Sequence, residues 1–321
     1  MLRYIIRRAV TSISLLVLSS IVIFLVLRVL PGDPTITKLG GSIKNVDPRA
    51  LQAIRHQLGL DRSLPSQYVH WVGGVVHGDF GISYFSQFPV TTLVAQRIGA
   101  TVELAVLAMA IGLLIAIPAA TLSAIWRNRV FDATLSGFAA VGMATPAFVT
   151  GIVLIVIFGL KLHLLPTQGY TSFSHHPIAS LKTTLLPAIT LGIAVAAPVL
   201  RVLRSSIVEV DTAPFIRTAQ GKGLLRRQVV VRHLLPNAAL PTLTLIGVIV
   251  GSLLGGAVVV EYVFARPGLG SLMVDSVFQR DYGVLQTLVL LAAAAFILTS
   301  FAVDVLYGVV DPRLRAERSG G

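Results

Sequence analysis

Apolar residues run through this chain in long unbroken stretches. They do not alternate as in a half-buried strand, and they do not fall on one stripe as in a surface helix. Six stretches of about 20 to 26 residues stand out: Ala9–Leu30, Thr101–Ala124, Thr134–Phe158, Thr184–Leu203, Asn237–Val260 and Val284–Val309. Each can cross a hydrocarbon layer of ~30 Å with some tilt. Backbone polar groups inside that layer must be satisfied internally, so only helices and closed barrels qualify, and continuous apolar runs favour helices. The pattern predicts an all-α integral membrane protein with six transmembrane helices.

The spacing of the spans divides the chain unevenly. Residues 1–30 form an N-terminal end and first span, residues 31–99 a long polar segment, residues 100–312 a five-helix core, and residues 313–321 a tail expected to fray. Within the core lies a polar loop, residues 204–236. The N-terminus, MLRYIIRRAV, resembles the start of a signal peptide. The apolar run continues to Leu30 with no small-x-small cleavage site, so an uncleaved first span is expected.

Composition supports the membrane reading. Charged residues make up 12% of the 321, about half the share in ordinary soluble domains. The net charge of +12 raises nucleic acid as a partner. The positive-inside bias of membrane proteins accounts for it more simply. Placing the N-terminus in the cytoplasm puts Arg3, Arg7 and Arg8, then Arg127 and Arg129, the loop arginines, and Arg313, Arg315 and Arg318 all inside. The two short outer connections then hold only Lys161 and Lys182, and Arg266 and Arg280. Both termini are therefore expected to be cytoplasmic, and residues 31–99 extracytoplasmic. There are no cysteines, which excludes disulfides, thiolate metal sites and cysteine nucleophiles.

The outer segment has the marks of order. Asp47-Pro48 suits a helix start, Leu51, Ile54 and Leu58 recur at helical spacing, and Gly59 suits a helix end. Tyr68, Trp71, Phe80, Tyr84, Phe85 and Phe88 suit a membrane interface. The segment could dock an extracytoplasmic partner or simply lie on the bilayer as a cap.

The inner loop carries the more specific signal. Asp211 or Thr212 can cap a short helix with Pro214 early in it, and Phe215, Ile216 and Ala219 give that helix an apolar side. Gly221 and Gly223 flank Lys222 and permit a tight reversal. Leu224 to Leu235 reads as a second short helix, and Pro236 and Pro241 mark entry into the fifth span. Two short helices joined by a glycine turn make a compact lever; the plainer reading is an ordinary basic loop. In the fifth span Gly247, Gly251 and Gly255 recur every four residues, a spacing that lets helices approach closely.

Chemistry of other kinds is poorly supported. No phosphate-binding G-x-x-x-x-G-K-[ST] loop, G-x-S-x-G elbow or H-E-x-x-H pair occurs. His175-His176 has no nearby acid or cysteine to complete a metal site. Glu103 and Asp304 sit near span ends, where they read as helix-end charges, and no paired midplane carboxylates suggest a proton relay.

The segment RTAQGKGL followed by RHLLPNAALP resembles the coupling loop of ATP-binding-cassette importer permeases. The chain as a whole resembles the first permease subunit of the dipeptide/oligopeptide/nickel importer group. RYIIRR, LPGDP, LGLDRSLPSQYVHW, HGDFGISY, AQRIGATVELA, EYVFARPGLG, RDYGVLQ and VDVLYGVVDPRLR carry that resemblance from end to end. Two departures stand in the loop. Arg217-Thr218-Ala219 replaces the name-giving Glu-Ala-Ala, and Gln220-Gly221 stands where Arg and Ala are common. Gly221 lowers helix propensity by about 1 kcal/mol relative to Ala.

The resemblance implies a non-catalytic subunit that binds no cofactor itself, ATP and magnesium being held by partner subunits. It implies a second homologous permease, two ATP-binding-cassette ATPases, an extracytoplasmic solute-binding protein and a place in the cell membrane of a prokaryote. ATPase coupling falls on Ala213, Phe215, Ile216, Ala219, Lys222 and Gly223, and helix packing on Gly247, Gly251 and Gly255. Di- or oligopeptides are the implied cargo. The alternative is a stand-alone secondary transporter driven by an ion gradient, which would need ion sites beside broken helices.

Overall fold

A computed structural model describes residues 2–29, 49, 52, 55–56, 59, 61–126, 129–174 and 176–310. The expected helix start at Asp47-Pro48, the apolar positions Leu51, Ile54 and Leu58, His175 and the tail 313–321 lie outside the described residues.

Helices dominate. Helix α1 is Leu2–Val29, and α2, Leu64–Val76, lies in the segment after it. Helix α3 is Val90–Trp126, α4 Arg129–Ala144 and α5 Ala147–Leu154, which runs on as a π-helical stretch, Ile155–Lys161. Helix α6 is Pro177–Asp211 and α7 Pro214–Gly221. Helix α8, Arg226–Val229, passes through a π-helical stretch, Val230–Leu234, into α9, Leu235–Val263. Helix α10 is Leu269–Phe278 and α11 Tyr282–Val310. Among the described residues the extended structure is one isolated bridge, Ile82 with Pro89.

Five helices are long and apolar enough to cross a bilayer. The third expected span, Thr134–Phe158, is not one rod. Helices Val130–Ala144 and Ala147–Lys161 meet at 107° and make a sixth span only if counted together. The break falls at Thr145-Pro146, where Pro146 has ψ of 139°. Proline lacks the N–H that would continue the ladder and disfavours helical geometry in the residue before it.

Two helices outrun their apolar windows. Helix α3, with 37 residues, is roughly 55 Å long, well beyond the ~30 Å hydrocarbon core. It starts at Val90 rather than Thr101, because hydropathy marks only the bilayer-spanning part of a helix. Helix α6 likewise extends past Thr184–Leu203 at both ends.

Helices α3 and α6 form the spine. A methyl group at Gly112 would lie 2.6 Å from Val195 Cγ1, and one at Gly192 2.9 Å from Ile111 Cγ2. Each glycine therefore admits a branched side chain of the other helix, the close approach that small residues allow in membranes. One core, around Val195, Val199, Leu203 and Ile207, reaches down to the loop after α6. A second, around Leu104, Leu186, Leu191, Val260 and Phe264, fills the opposite end. Helix α1 lies apart, with Ile6, Val10, Ile13, Leu18 and Val22 exposed, and joins the bundle mainly through α11. Arg8 pairs with Asp304 there, and the Tyr4 hydroxyl donates to the Asp304 carbonyl at 3.2 Å.

Candidate functional site

The loop between α6 and α9 is folded throughout. Ala213 precedes α7 in an extended conformation, with ψ of 146°, and Pro214 opens the helix. The expected side-chain cap is absent: Thr212 donates back to the Glu209 carbonyl at 2.8 Å, and Asp211 is engaged elsewhere. A proline in the first turn removes one amide that a cap would have served.

Helix α7 sorts the six residues singled out in the sequence. Ile216 and Ala219 are buried and join the core that descends from α3 and α6, with Ala213 packed beside them. Phe215 is 47% exposed, and Lys222 and Gly223 are also exposed. Phe215 is thus not on the apolar side that Ile216 and Ala219 form. Consecutive helical residues point about 100° apart, so one can anchor while its neighbour faces out. Arg217, Leu224 and Leu225 of the same loop are also exposed, so the loop presents both apolar and basic side chains.

The reversal after α7 depends on Gly223. Its φ is +80°, and its amide donates to the Gln220 carbonyl at 2.9 Å. No neighbour crowds it, so the requirement is backbone conformation alone. Leu224 to Leu235 does not form a separate helix. Helix α8 begins at Arg226, with the Leu225 amide donating to Gln228 Oε1 at 3.2 Å, and continues through the π-helical stretch into α9. Arg226 clamps Asp211, Nη1 to Oδ1 at 2.7 Å and Nη2 to Oδ2 at 3.1 Å. Higher up, Arg204 on α6 donates to both oxygens of Asp132 on α4, and Ser123 of α3 donates to the same carboxylate.

At the opposite end of the bundle lies a polar cluster that the sequence reading missed. Arg266 and Glu261 are both fully buried. Arg266 donates from Nε to the Ala100 carbonyl at 3.1 Å and from Nη1 to Thr184 Oγ1 at 2.8 Å, and its Nη2 lies 3.2 Å from Glu103 Oε2. Its guanidinium also sits 4.7 Å from the Tyr170 ring centre. Glu261 accepts from Thr101 Oγ1 at 2.6 Å and from the amides of Gly270 and Ser271 at 2.7 and 3.1 Å. Side chains at Gly268 and Gly270 would run into Glu261 and Val258, which explains the glycines of the ARPGLG turn. Glu103 is therefore paired in the protein rather than free at the interface. The available signal was Glu261 and Arg266, five residues apart at the end of an apolar run.

The glycines of α9 divide. Methyl groups at Gly247 and Gly251 would run into Val303 and Phe296, both on α11 of the same chain. A methyl group at Gly255 would meet no neighbouring helix within 4 Å among the described residues.

Residues 108–316 match the family described as "Binding-protein-dependent transport system inner membrane component". The chain belongs to this family. Residues 1–105 match its companion, "Binding-prot-dependent transport system membrane comp, N-term". Among curated proteins the permease is 40% identical over 315 residues to the glutathione transport system permease protein GsiC of Escherichia coli K12, covering 98% of this chain and 99% of that one. The GsiC of Shigella flexneri serotype 5b matches equally well. Among solved structures, an inward-facing MetNI methionine ABC transporter shares the fold. It has a TM-score of 0.58 and 18% identity, covering 68% of this permease and 96% of that chain. The protein is thus a multi-pass membrane permease subunit of a binding-protein-dependent ABC importer, and ATP hydrolysis in such systems lies in partner subunits.

Proposed function

We propose that this permease forms half of the translocation path of an ATP-driven importer of short peptides, paired with a second homologous permease. Two cytoplasmic ATPases drive it through residues 213–223, and an extracytoplasmic solute-binding protein delivers the cargo. Both termini and the 213–223 loop face the cytoplasm. The observation that carries the reading is the division of labour in α7: Ile216 and Ala219 fix it to the bundle core while Phe215 and Lys222 face out. Force applied to such a helix reaches α6 and α9 directly, because both ends of the loop continue into them. The exposed basic residues Arg217, Lys222 and Arg227 suit an acidic groove on the ATPase.

Peptides rank first as cargo because the 40%-identical relatives carry the name of a glutathione transport system, and glutathione is a tripeptide. The test is purification from the native membrane, then reconstitution of the captured subunits with ATP and labelled peptides, glutathione included. Capture of a second permease and P-loop ATPases, with peptide uptake that needs ATP, is expected. A stable homo-oligomer that transports without ATP would overturn the reading.

A further inference from the structure

A cleft of about 640 Å³ opens at the end of the bundle far from the loop, between α2 with the turn after it and the ends of α1 and α11. That volume suits a small ligand or a headgroup. Its lining includes Arg28 at the end of α1, Arg62 and His70 from around α2, the rings of Trp71 and Tyr84, and Gln286 from the start of α11.

Gln286 is the informative member. The residue is 8% exposed, and its buried Nε2 finds no hydrogen-bond partner among the described residues. Buried amide donors are almost always satisfied, so an orphan at the wall of a cleft points to an acceptor that the described residues do not supply. The charge of the cleft says what kind. Arg28 rests over the Phe24 ring, and among the described residues neither it nor Arg62 has a carboxylate partner. Asp79 is the one acidic group among the described lining residues, and its Oδ1 accepts from the Gly81 amide at 2.9 Å. An anion with several oxygens satisfies both the guanidinium and the amide, as phosphate does with arginine.

The position of the cleft favours an amphiphile over a free ion. Arg28 ends a helix whose preceding turns expose Val22, Leu25 and Val26. A phosphate held at Arg28 therefore has an apolar helix face directly beside it for acyl chains. Trp71 and Tyr84 are ring types that settle at the headgroup level. We propose that this cleft binds the phosphate of an anionic glycerophospholipid, held by Arg28 and the Gln286 amide, with Arg62 at its edge. Basic pockets between membrane helices commonly take such headgroups.

The test uses the assembled importer in nanodiscs of phosphatidylcholine alone or with phosphatidylglycerol, read by lipid retained after detergent exchange and by melting midpoint. The wild type should retain phosphatidylglycerol about tenfold over phosphatidylcholine. Arg28→Gln and Gln286→Met should abolish that preference, and Arg28→Lys should keep most of it. Phosphatidylglycerol should raise the midpoint of the wild type but not of Gln286→Met. In phosphatidylcholine alone Gln286→Met should melt no lower than wild type, because it removes an unsatisfied donor; this variant decides the matter if Arg28→Gln fails to assemble. Equal retention in wild type and Gln286→Met overturns the site. Displacement of the lipid by millimolar inorganic phosphate overturns the lipid and assigns the cleft to a soluble anion.

Discussion

Asp211 and Arg226 grip each other through two parallel hydrogen bonds across the base of the α6–α9 loop. One closes α6 and the other opens α8, so everything between them, α7 included, hangs from this pair. The Asp211 side chain is only 7% exposed, which shields the carboxylate from water and salt although Arg226 is 38% exposed. A lever transmits displacement only if its base does not yield. Asp211→Arg or Arg226→Asp alone should therefore lower ATP-driven uptake at least about tenfold, while the ATPase of the complex continues. The double exchange should recover much of the loss, since the coupling energy of a close charge pair appears only in the full cycle. Uptake and hydrolysis measured on the same proteoliposomes decide it; single variants that transport normally would remove the clamp from the coupling path.

Phe215 and Ile216 are neighbours with opposite expected phenotypes. Phe215→Ala removes an exposed ring and should leave the melting midpoint of the permease unchanged, yet weaken ATPase capture by about 1–2 kcal/mol, as interface aromatics do. Ile216→Ala empties a fully buried site and should destabilise the permease by about 2–5 kcal/mol. Thermal melting of the isolated permease beside a pull-down of the ATPase separates the two. Reversed phenotypes would mean that α7 presents its other face to its partner.

Much of this architecture is legible in the sequence, and the limits have physical causes. Hydropathy finds the long helices because the bilayer demands length and apolarity together, but it cannot see where α3 and α6 continue into polar surroundings. The Thr145-Pro146 break was visible as a proline, although prolines at 118, 187, 198 and 241 sit inside continuous helices. Membrane helices tolerate proline when neighbours re-satisfy the freed carbonyl, and that depends on packing the sequence does not display. In the loop, the sequence places Phe215, Ile216 and Ala219 on one apolar side of a helix, but only Ile216 and Ala219 are buried, because the orientation of α7 is fixed by its fit into the core and not by its own sequence. The Arg266 cluster escaped for a different reason. Its members come from α3, α6, α9, the turn after α9 and the start of α10, and only folding assembles them.

Arg266 should be the costliest single charge to remove. It is fully buried and serves the Ala100 carbonyl, Thr184 and Glu103 together. Breaking one partner of a buried pair strands the other, at a cost of about 3–5 kcal/mol. Arg266→Ala should therefore lower the melting midpoint sharply. Arg266→Lys should recover little, because a single ammonium cannot reach separate acceptors in a planar fork. The double variant Arg266→Met with Glu103→Gln should be milder than Arg266→Ala alone, since it removes the Glu103 charge with its partner and leaves only Glu261, which keeps its hydrogen bonds from Thr101, Gly270 and Ser271. A melting midpoint for Arg266→Ala close to wild type would mean that water enters the cluster and screens it.

Gly223 gives the sharpest test of the coupling assignment. Its φ of +80° is open to glycine and strained for other residues, and its amide is committed to the Gln220 carbonyl. Gly223→Ala keeps the amide and meets no steric neighbour, so it should cost only the left-handed strain of about 1–2 kcal/mol and slow uptake modestly. Gly223→Pro cannot adopt the angle and has no amide to donate, so the reversal after α7 must re-form differently. Membrane insertion should survive, because the spans are untouched, while ATP hydrolysis proceeds without uptake. Assay of expression, hydrolysis and uptake for the two variants together makes the comparison internal. If Gly223→Pro transports as well as Gly223→Ala, the geometry of this turn does not carry force, and the coupling contact must lie on another part of the permease.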